Sequence, residues 1–319
     1  MKNNTILFQY KNLAASLPRL LTKKLNAVRI GFFYNLAVDT STIKSQEMRY
    51  ALVDGNKTEA VKGAKGICPS CGSELIAKCG EQKINHWAHK GNRNCDPWWE
   101  PETEWHRSWK NNYDIGWQEV VLIDEKTGEK HIADVRTEHG LVIEFQHSHI
   151  KPEERISREK FYKNMVWVVD GTRLQRDFPR FLKGREEFRS TEKEGIYRID
   201  FPDEVFPKNW LKSNVPIIFD FKGFEMKDIN DIQNKLYCLF PTRKWEPAIV
   251  AEITRKAFVK TTTNGEWLER TQKFIDSLPQ PKRVWQNQTV PQRQVRNILR
   301  MPKYYYVARG GRLVKMRRY

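Results

Sequence analysis

The sequence predicts a mixed α/β fold, on three observations. Between residues 101 and 170, helix-like and strand-like stretches follow one another in the order α-β-β-β-α-β. At the centre of that run lies Lys130–Ile150, KHIADVRTEHGLVIEFQHSHI, which reads as two strands around a tight reversal. Ahead of it, a CxxC with histidines nearby marks a small metal-stapled module.

At 319 residues the chain is long enough for two domains, or three small modules. Charged residues make up 30% of it, and no run of about 18 apolar residues occurs, so no membrane span is expected. The net charge of +17 calls for a polyanionic partner, most simply nucleic acid. The five cysteines are an odd count and include a CxxC, which points to metal binding in a reducing, cytoplasmic setting rather than to disulfides.

Residues 1–47 stand apart as an N-terminal extension. Ser16–Arg29 reads as a short basic amphipathic helix, and the apolar GFFYNLAV after it is too short for a secretory signal. The alternative is that Met48 is the start and the first 47 residues extend the reading frame upstream. In the module at 48–97, Cys68-Pro69-Ser70-Cys71-Gly72 has the form of a zinc knuckle. A hairpin about Gly80-Glu81 would bring His89 opposite Gly72, beside the knuckle, and leave His86 opposite Leu75. The expected ligands of a closed structural zinc site are Cys68, Cys71, His89 and Cys95, with His86 in place of Cys95 as the competitor. Cys79 falls near the hairpin tip, away from the knuckle.

Pro101 suits the first turn of a helix over 101–113. Glu102, His106 and Lys110 then share a polar face, beside an apolar face with Trp105 and Trp109. Trp117–Asp124 is the first strand. The second carries Asp134, and the third carries Glu144 and Gln146 on one face. A symmetric turn at Thr137–Gly140 puts Asp134 opposite Ile143, whereas one extra residue or a bulge puts it beside Glu144. Two adjacent carboxylates repel unless a proton or cation lies between them, and their hard oxygens suit Mg²⁺ or Mn²⁺. Two solvated carboxylates on an exposed sheet face are the alternative. Pro152–Asn164 reads as a basic helix and Met165–Asp170 as a buried strand ended by Gly171.

This order of motifs, CPxCG, HWAHK, ETEWH…K, IADV, VIEFQHS, a basic helix and VVDG, resembles the competence protein CoiA family over about residues 48–171. The resemblance implies a zinc-ribbon-like module before a restriction-endonuclease-like, PD-(D/E)XK core at 98–171. It implies a metal-dependent deoxyribonuclease active in DNA uptake or recombination, together with uptake or recombination proteins. Asp134 and Glu144 would then hold catalytic Mg²⁺ or Mn²⁺, and Glu102 would complete the site. Gln146 stands where many such nucleases have Lys, and would orient the attacking water without adding charge. Lys110, Arg158 and Lys160 would contact nucleic acid, and His106 would line the cleft. His147 and His149 lie on the opposite strand face from Glu144 and are expected to pack or to make contacts near the strand end.

Residues 172–279 carry no catalytic motif and read as an α+β region, with strands at Ile196–Phe201, Val215–Phe221, Leu236–Phe240 and Ala248–Val259. Trp210, Trp245 and Cys238 are expected in its core, and Asp220 is a buried acid with a structural role. From Gln280 on there are 11 Lys/Arg and no acid, interleaved with Tyr304, Tyr305 and Tyr306. This basic tail fits binding to single-stranded or branched DNA. Two other readings stay open: a catalytically silent DNA-binding accessory protein on a nuclease-derived fold, and a scaffold for recombination machinery.

Overall fold

The computed structural model describes residues 46–91, 95–221, 234–241, 247–278, 304–309 and 312–317. The helix expected at Ser16–Arg29, Trp245 and the tail before residue 304 lie outside the described residues.

The first sheet is small and antiparallel. Its strands are β1 (Glu47–Met48), β2 (Tyr50–Val53), β3 (Asn56–Glu59), β4 (Lys65–Ile67), β5 (Glu74–Lys78) and β6 (His86–His89), in the order β1-β6-β5-β4-β2-β3. Asp54 and Gly55 both take positive φ in the β2–β3 turn, as a two-residue hairpin loop requires. The core under this sheet is little more than Met48, Ala51, Leu75 and a fully buried Trp87. Such a core needs a staple. β5 and β6 pair with Leu75 opposite His89 and Lys78 opposite His86. The turn is therefore not a tight one at Gly80-Glu81. Residues 79–85 form a longer loop, which slides His86 toward the loop end of the hairpin.

The second sheet has nine strands, ordered β11-β12-β15-β14-β13-β10-β9-β8-β7. They are β7 (Gln118–Ile123), β8 (Lys130–Arg136), β9 (Val142–Gln146), β10 (Met165–Asp170), β11 (Arg189–Ser190), β12 (Ile196–Ile199), β13 (Ile217–Asp220), β14 (Lys235–Leu239) and β15 (Ala248–Thr254). Among the described residues the α-helices are α1 (Glu104–Lys110), α2 (Pro152–Tyr162), α3 (Asp177–Arg185), α4 (Arg255–Thr263) and α5 (Glu266–Ser277). The run α1-β7-β8-β9-α2-β10 has the expected order. β10 is parallel to β9 and β13, so the sheet is mixed.

Side chains of β10 alternate between two cores, as strand geometry dictates. Met165, Trp167 and Val169 meet Tyr162 of α2 and Phe181 of α3. Val166 and Val168 join Trp105 and Trp109 of α1, Phe258 of α4 and Trp267 of α5. Helices thus cover both faces.

Several boundaries differ from expectation for local reasons. Thr103 caps α1 and His106 closes the capping box, so Glu102 precedes the helix rather than riding on it. The stretch Ala248–Val259 splits because the Thr254 hydroxyl accepts from Ala257 N and starts α4. Strands β11–β15 of residues 172–279 extend the same sheet as the core. Asp220 has a buried role with clear partners: its Oδ2 accepts from the indoles of Trp105 and Trp109, each at 3.0 Å, and its Oδ1 accepts from Arg255 at 2.7 Å. Trp210 is buried against Trp167, and Cys238 is buried, its thiol pushed up by burial. In the tail, β16 (Tyr304–Arg309) and β17 (Arg312–Arg317) pair as an antiparallel hairpin.

Candidate functional site

Among the described residues one group of side chains could hold a metal, and a second, acidic cluster lines a cavity at the larger sheet. In the first, the ligand atoms of Cys68, Cys71, His89 and Cys95 all lie within 4.8 Å of one another. Gly72, at φ +70, lets the knuckle turn, with its N–H bonded to the Cys68 carbonyl at 2.9 Å. Gln46 Oε1 accepts from the backbone N–H of Cys95 and Asp96 and so anchors the fourth ligand. Cys68 Sγ and Cys95 Sγ are 3.7 Å apart, and Cys71 Sγ is 3.3 Å from His89 Nε2. A tetrahedron with arms of about 2.3 Å has edges of about 3.8 Å, so the cluster fits a tetrahedral metal. The hydrogen bond between Cys68 and Cys95 pulls the Cys68 thiol down to about 5 and pushes the Cys95 thiol up. This Cys₃His set can hold a structural metal such as zinc. His86 faces Ile84 O and Glu47, and Cys79 faces Ala60 O, both outside the cluster.

The second cluster is acidic. Val135 pairs with Ile143 and Arg136 with Val142, so the next step of the ladder sets Asp134 beside Glu144. This is the asymmetric register. At that step side chains replace the ladder: Glu144 Oε1 accepts from Asp134 N at 3.1 Å, and Asp134 Oδ2 accepts from Phe145 N at 2.9 Å. Glu102 and Glu119 complete the group around Lys110, whose Nζ lies 3.2 Å from Glu102, Glu119 and Asp134 alike. Burial pulls the ammonium toward neutrality, yet the three carboxylates outweigh it and raise its pKa well above normal. Arg158 Nη1 donates to Glu144 Oε2 at 3.0 Å. Burial, then the neighbouring Asp134, push the Glu144 carboxyl up to about 8 despite that guanidinium. These groups line a cavity of about 60 Å³.

Sequence reasoning missed Glu100 and Glu119. Glu100 is the anchor of the far wall: it accepts from Gln146 Nε2 at 3.0 Å and from the backbone N–H of His147 and Ser148. Its Oε1 is also 2.8 Å from His106 Nε2. Burial alone would raise the Glu100 carboxyl, but the bond to His106 and its charge, with Ser148 and His147, hold it at about 2. Glu119 carries the signal that singled out Glu144, an acid inside an apolar strand. Glu100 offers no such signal, because its partners are brought together only by the fold.

Glu102, Lys110, Asp134, Glu144 and Arg158 therefore meet at one cavity, with His106 in its wall. Lys110 and Arg158 are buried and face carboxylates, whereas Lys160 is exposed on α2. Gln146 is buried beside Glu100, and its Oε1 has no hydrogen-bond partner among the described residues. His147 turns away and pairs with Asp170 at 2.8 Å.

A Cys₃His module joined to a mixed α/β sheet with an acid-lined cavity is the class of protein that these features define. Residues 53–97 match the family model of the competence protein CoiA N-terminal domain. Competence protein CoiA of Bacillus subtilis (strain 168) is 28% identical over 147 residues, 42% of this chain and 39% of that protein. The family-model match is confined to residues 53–97, and the chain spans about two-fifths of the length of the curated relative. No solved structure matches it. No helix among the described residues is long and apolar enough to cross a membrane.

Proposed function

We infer that this protein is a metal-dependent nuclease acting on DNA, with a zinc-stapled module in front of a PD-(D/E)XK-type core. The observation that carries this reading is the side-by-side placement of Asp134 and Glu144 in a cavity shared with Glu102 and Glu119. The relative's name supplies the setting, competence, and the resemblance carried by the sequence motifs implies DNA as substrate and uptake or recombination proteins as partners. The net charge of +17 and the basic tail suit a polyanion, with single-stranded or branched DNA the natural choice.

The donor set is all oxygen, which fits Mg²⁺ or Mn²⁺. Asp134 and Glu144 would hold the ion, and Glu102 would complete its shell. When bound, such an ion supplies an activated water and relief of charge on the phosphate. The chain's own residues do the rest. Gln146 keeps an unpartnered Oε1 to accept from a water, while Glu100 fixes the orientation of its amide through Nε2. Lys110 brings the positive charge that Gln146 lacks, from a helix instead of the strand.

One observation favours a second reading, a catalytically silent DNA-binding accessory protein. Lys110 and Arg158 already pair with the acids of the cluster, so its carboxylates have cationic partners without an added ion. Incubating the full chain with single-stranded, duplex and branched DNA separates the two. Cleavage that requires Mg²⁺ or Mn²⁺, and is lost in Asp134→Ala and Glu144→Ala, is the expected result. DNA binding without cleavage, unchanged in both variants, would establish the accessory reading.

A further inference from the structure

The carboxyl ends of the parallel strands β9 and β10 open onto a second cavity, of about 240 Å³. Open α/β sheets place ligands at this end of their strands. Its apolar floor comes from Val169, Trp210, Phe219 and Phe221, and its cationic rim from Arg173, Arg176, Arg180 and Lys208. Two acids also line it, and both are engaged. Asp170 is bonded to His147 and Thr172, and Asp177 to Arg180. Among the described residues no carboxylate pairs with Arg173, Arg176 or Lys208, and the buried Nε of Arg180 has no hydrogen-bond partner. The rim therefore carries uncompensated positive charge over an apolar floor.

This cavity adjoins the acid cluster. Gln146, His147 and Ser148 line it, and all three donate to Glu100, which lines the acidic cavity. A ligand that fills one cavity lies next to the other.

We propose that the second cavity holds the phosphorylated end of a nucleic-acid strand whose adjoining phosphodiesters pass the acid cluster. The proposal rests on the nuclease reading for its orientation. A terminal phosphomonoester carries about −1.5 to −2 charge at neutral pH and three acceptor oxygens, against one charge for a diester within the chain. Arginine forks match that group in geometry as well as charge. The last sugar or base covers the apolar floor.

The test is fluorescence anisotropy on the full chain, in EDTA, with labelled oligonucleotides of one sequence ending in a 5′-phosphate, a 3′-phosphate or hydroxyls. The comparison variant is Arg173→Ala/Arg176→Ala, both exposed and outside the acid cluster. Wild type should bind one phosphorylated end at least tenfold more tightly than the hydroxyl end. That ratio should fall to near one in the double variant, with hydroxyl-end affinity changed less than threefold. Equal affinity for all three ends in wild type, or a preference that survives in the double variant, overturns the proposal. Cleavage is scored separately with Mg²⁺. An end preference without cleavage would retain the phosphate pocket and reject the nuclease reading, and cleavage without end preference would do the reverse.

Discussion

Replacing Lys110 by Met tests the acid cluster most directly, because it removes one charge and keeps the volume. In the wild type one buried ammonium sits 3.2 Å from each of three carboxylates. At an effective dielectric of about 20, each contact contributes about 5 kcal/mol of Coulomb attraction. Desolvation of the ammonium and mutual repulsion of the acids take back most of that sum. What is lost on deletion is the compensation of the buried acids, about 3–5 kcal/mol when one partner of a buried pair is removed. For a chain of 319 residues, with an unfolding entropy of about 2.1 cal/mol/K per residue, that lowers Tm by roughly 4–8 °C. Thermal denaturation in EDTA reads it, with Lys110→Arg as the control that keeps the charge. The variant also frees an all-oxygen cage for a hard cation. Mg²⁺ at 100 times its Kd would return about 2.7 kcal/mol. Lys110→Met melting within about 2 °C of wild type in EDTA would refute the counterion role. A full loss that Mg²⁺ leaves unchanged would refute the cage as a cation site.

Three further outcomes are expected. Cys68→Ser or Cys71→Ser should lose the bound metal and the fold of the small sheet, whereas Cys79→Ser should keep about one zinc per chain, measured by elemental analysis and a thiol-chromophore assay. Asp220→Ala should cost about 3–5 kcal/mol in urea unfolding, because it strands Arg255 and two buried indoles. Glu100→Gln should lower stability most between about pH 4.5 and 6.5. Glu100 has a depressed folded pKa, so its contribution is present above the unfolded value of about 4.3 and is lost as pH falls toward about 2. His106 has a raised folded pKa, so its contribution is full below about 6.5 and is lost as pH rises through the folded value. The difference in urea midpoint between wild type and variant should therefore peak in that window, and a flat difference would contradict it.

The core of the fold was legible because its signals are local. MVWVVD is β10 to the residue, and the alternation in VIEFQ places Glu144 and Gln146 on one face. The Cys₃His set was legible for a different reason. The hairpin register behind it was misplaced by three residues, yet His89 still reached the knuckle because the ligands need only converge, not pair. Glu102 was found although its helix begins two residues later, since Lys110 reaches back to it. What stayed hidden depends on contacts distant in sequence. The partners of Asp220 come from α1 and α4, more than 30 residues away on either side. The role of Glu100 depends on backbone N–H groups at 147 and 148. The helices α3 and α5 were missed although their apolar residues recur at helical spacing, Phe178, Phe181 and Leu182 in α3 and Trp267, Leu268, Phe274 and Ile275 in α5; both pack on a sheet whose extent could not be read from pattern alone.

The two clusters are not independent. Glu119 holds a left-handed backbone at φ +44, a conformation that costs a non-glycine residue about 1–2 kcal/mol. That strain aims its carboxylate at three donors. Oε1 accepts from Arg49 N and from Lys110 Nζ, and Oε2 accepts from Tyr50 N. Arg49 and the Tyr50 hydroxyl also bond to Gln118, the residue beside it. One acid of the cluster is thus fixed by the small sheet, and the same acid helps fix Lys110. If the Cys₃His cluster holds a structural metal, unfolding the module by stripping it would withdraw two donors from Glu119 and leave Lys110 as its remaining partner. The charge balance around Asp134 then changes without any change in the residues of the cavity itself. On the proposed nuclease reading, a chelator would act on DNA cleavage from two sources. Cys71→Ser, which leaves every acid in place, would distinguish loss of the structural metal from loss of the proposed catalytic one.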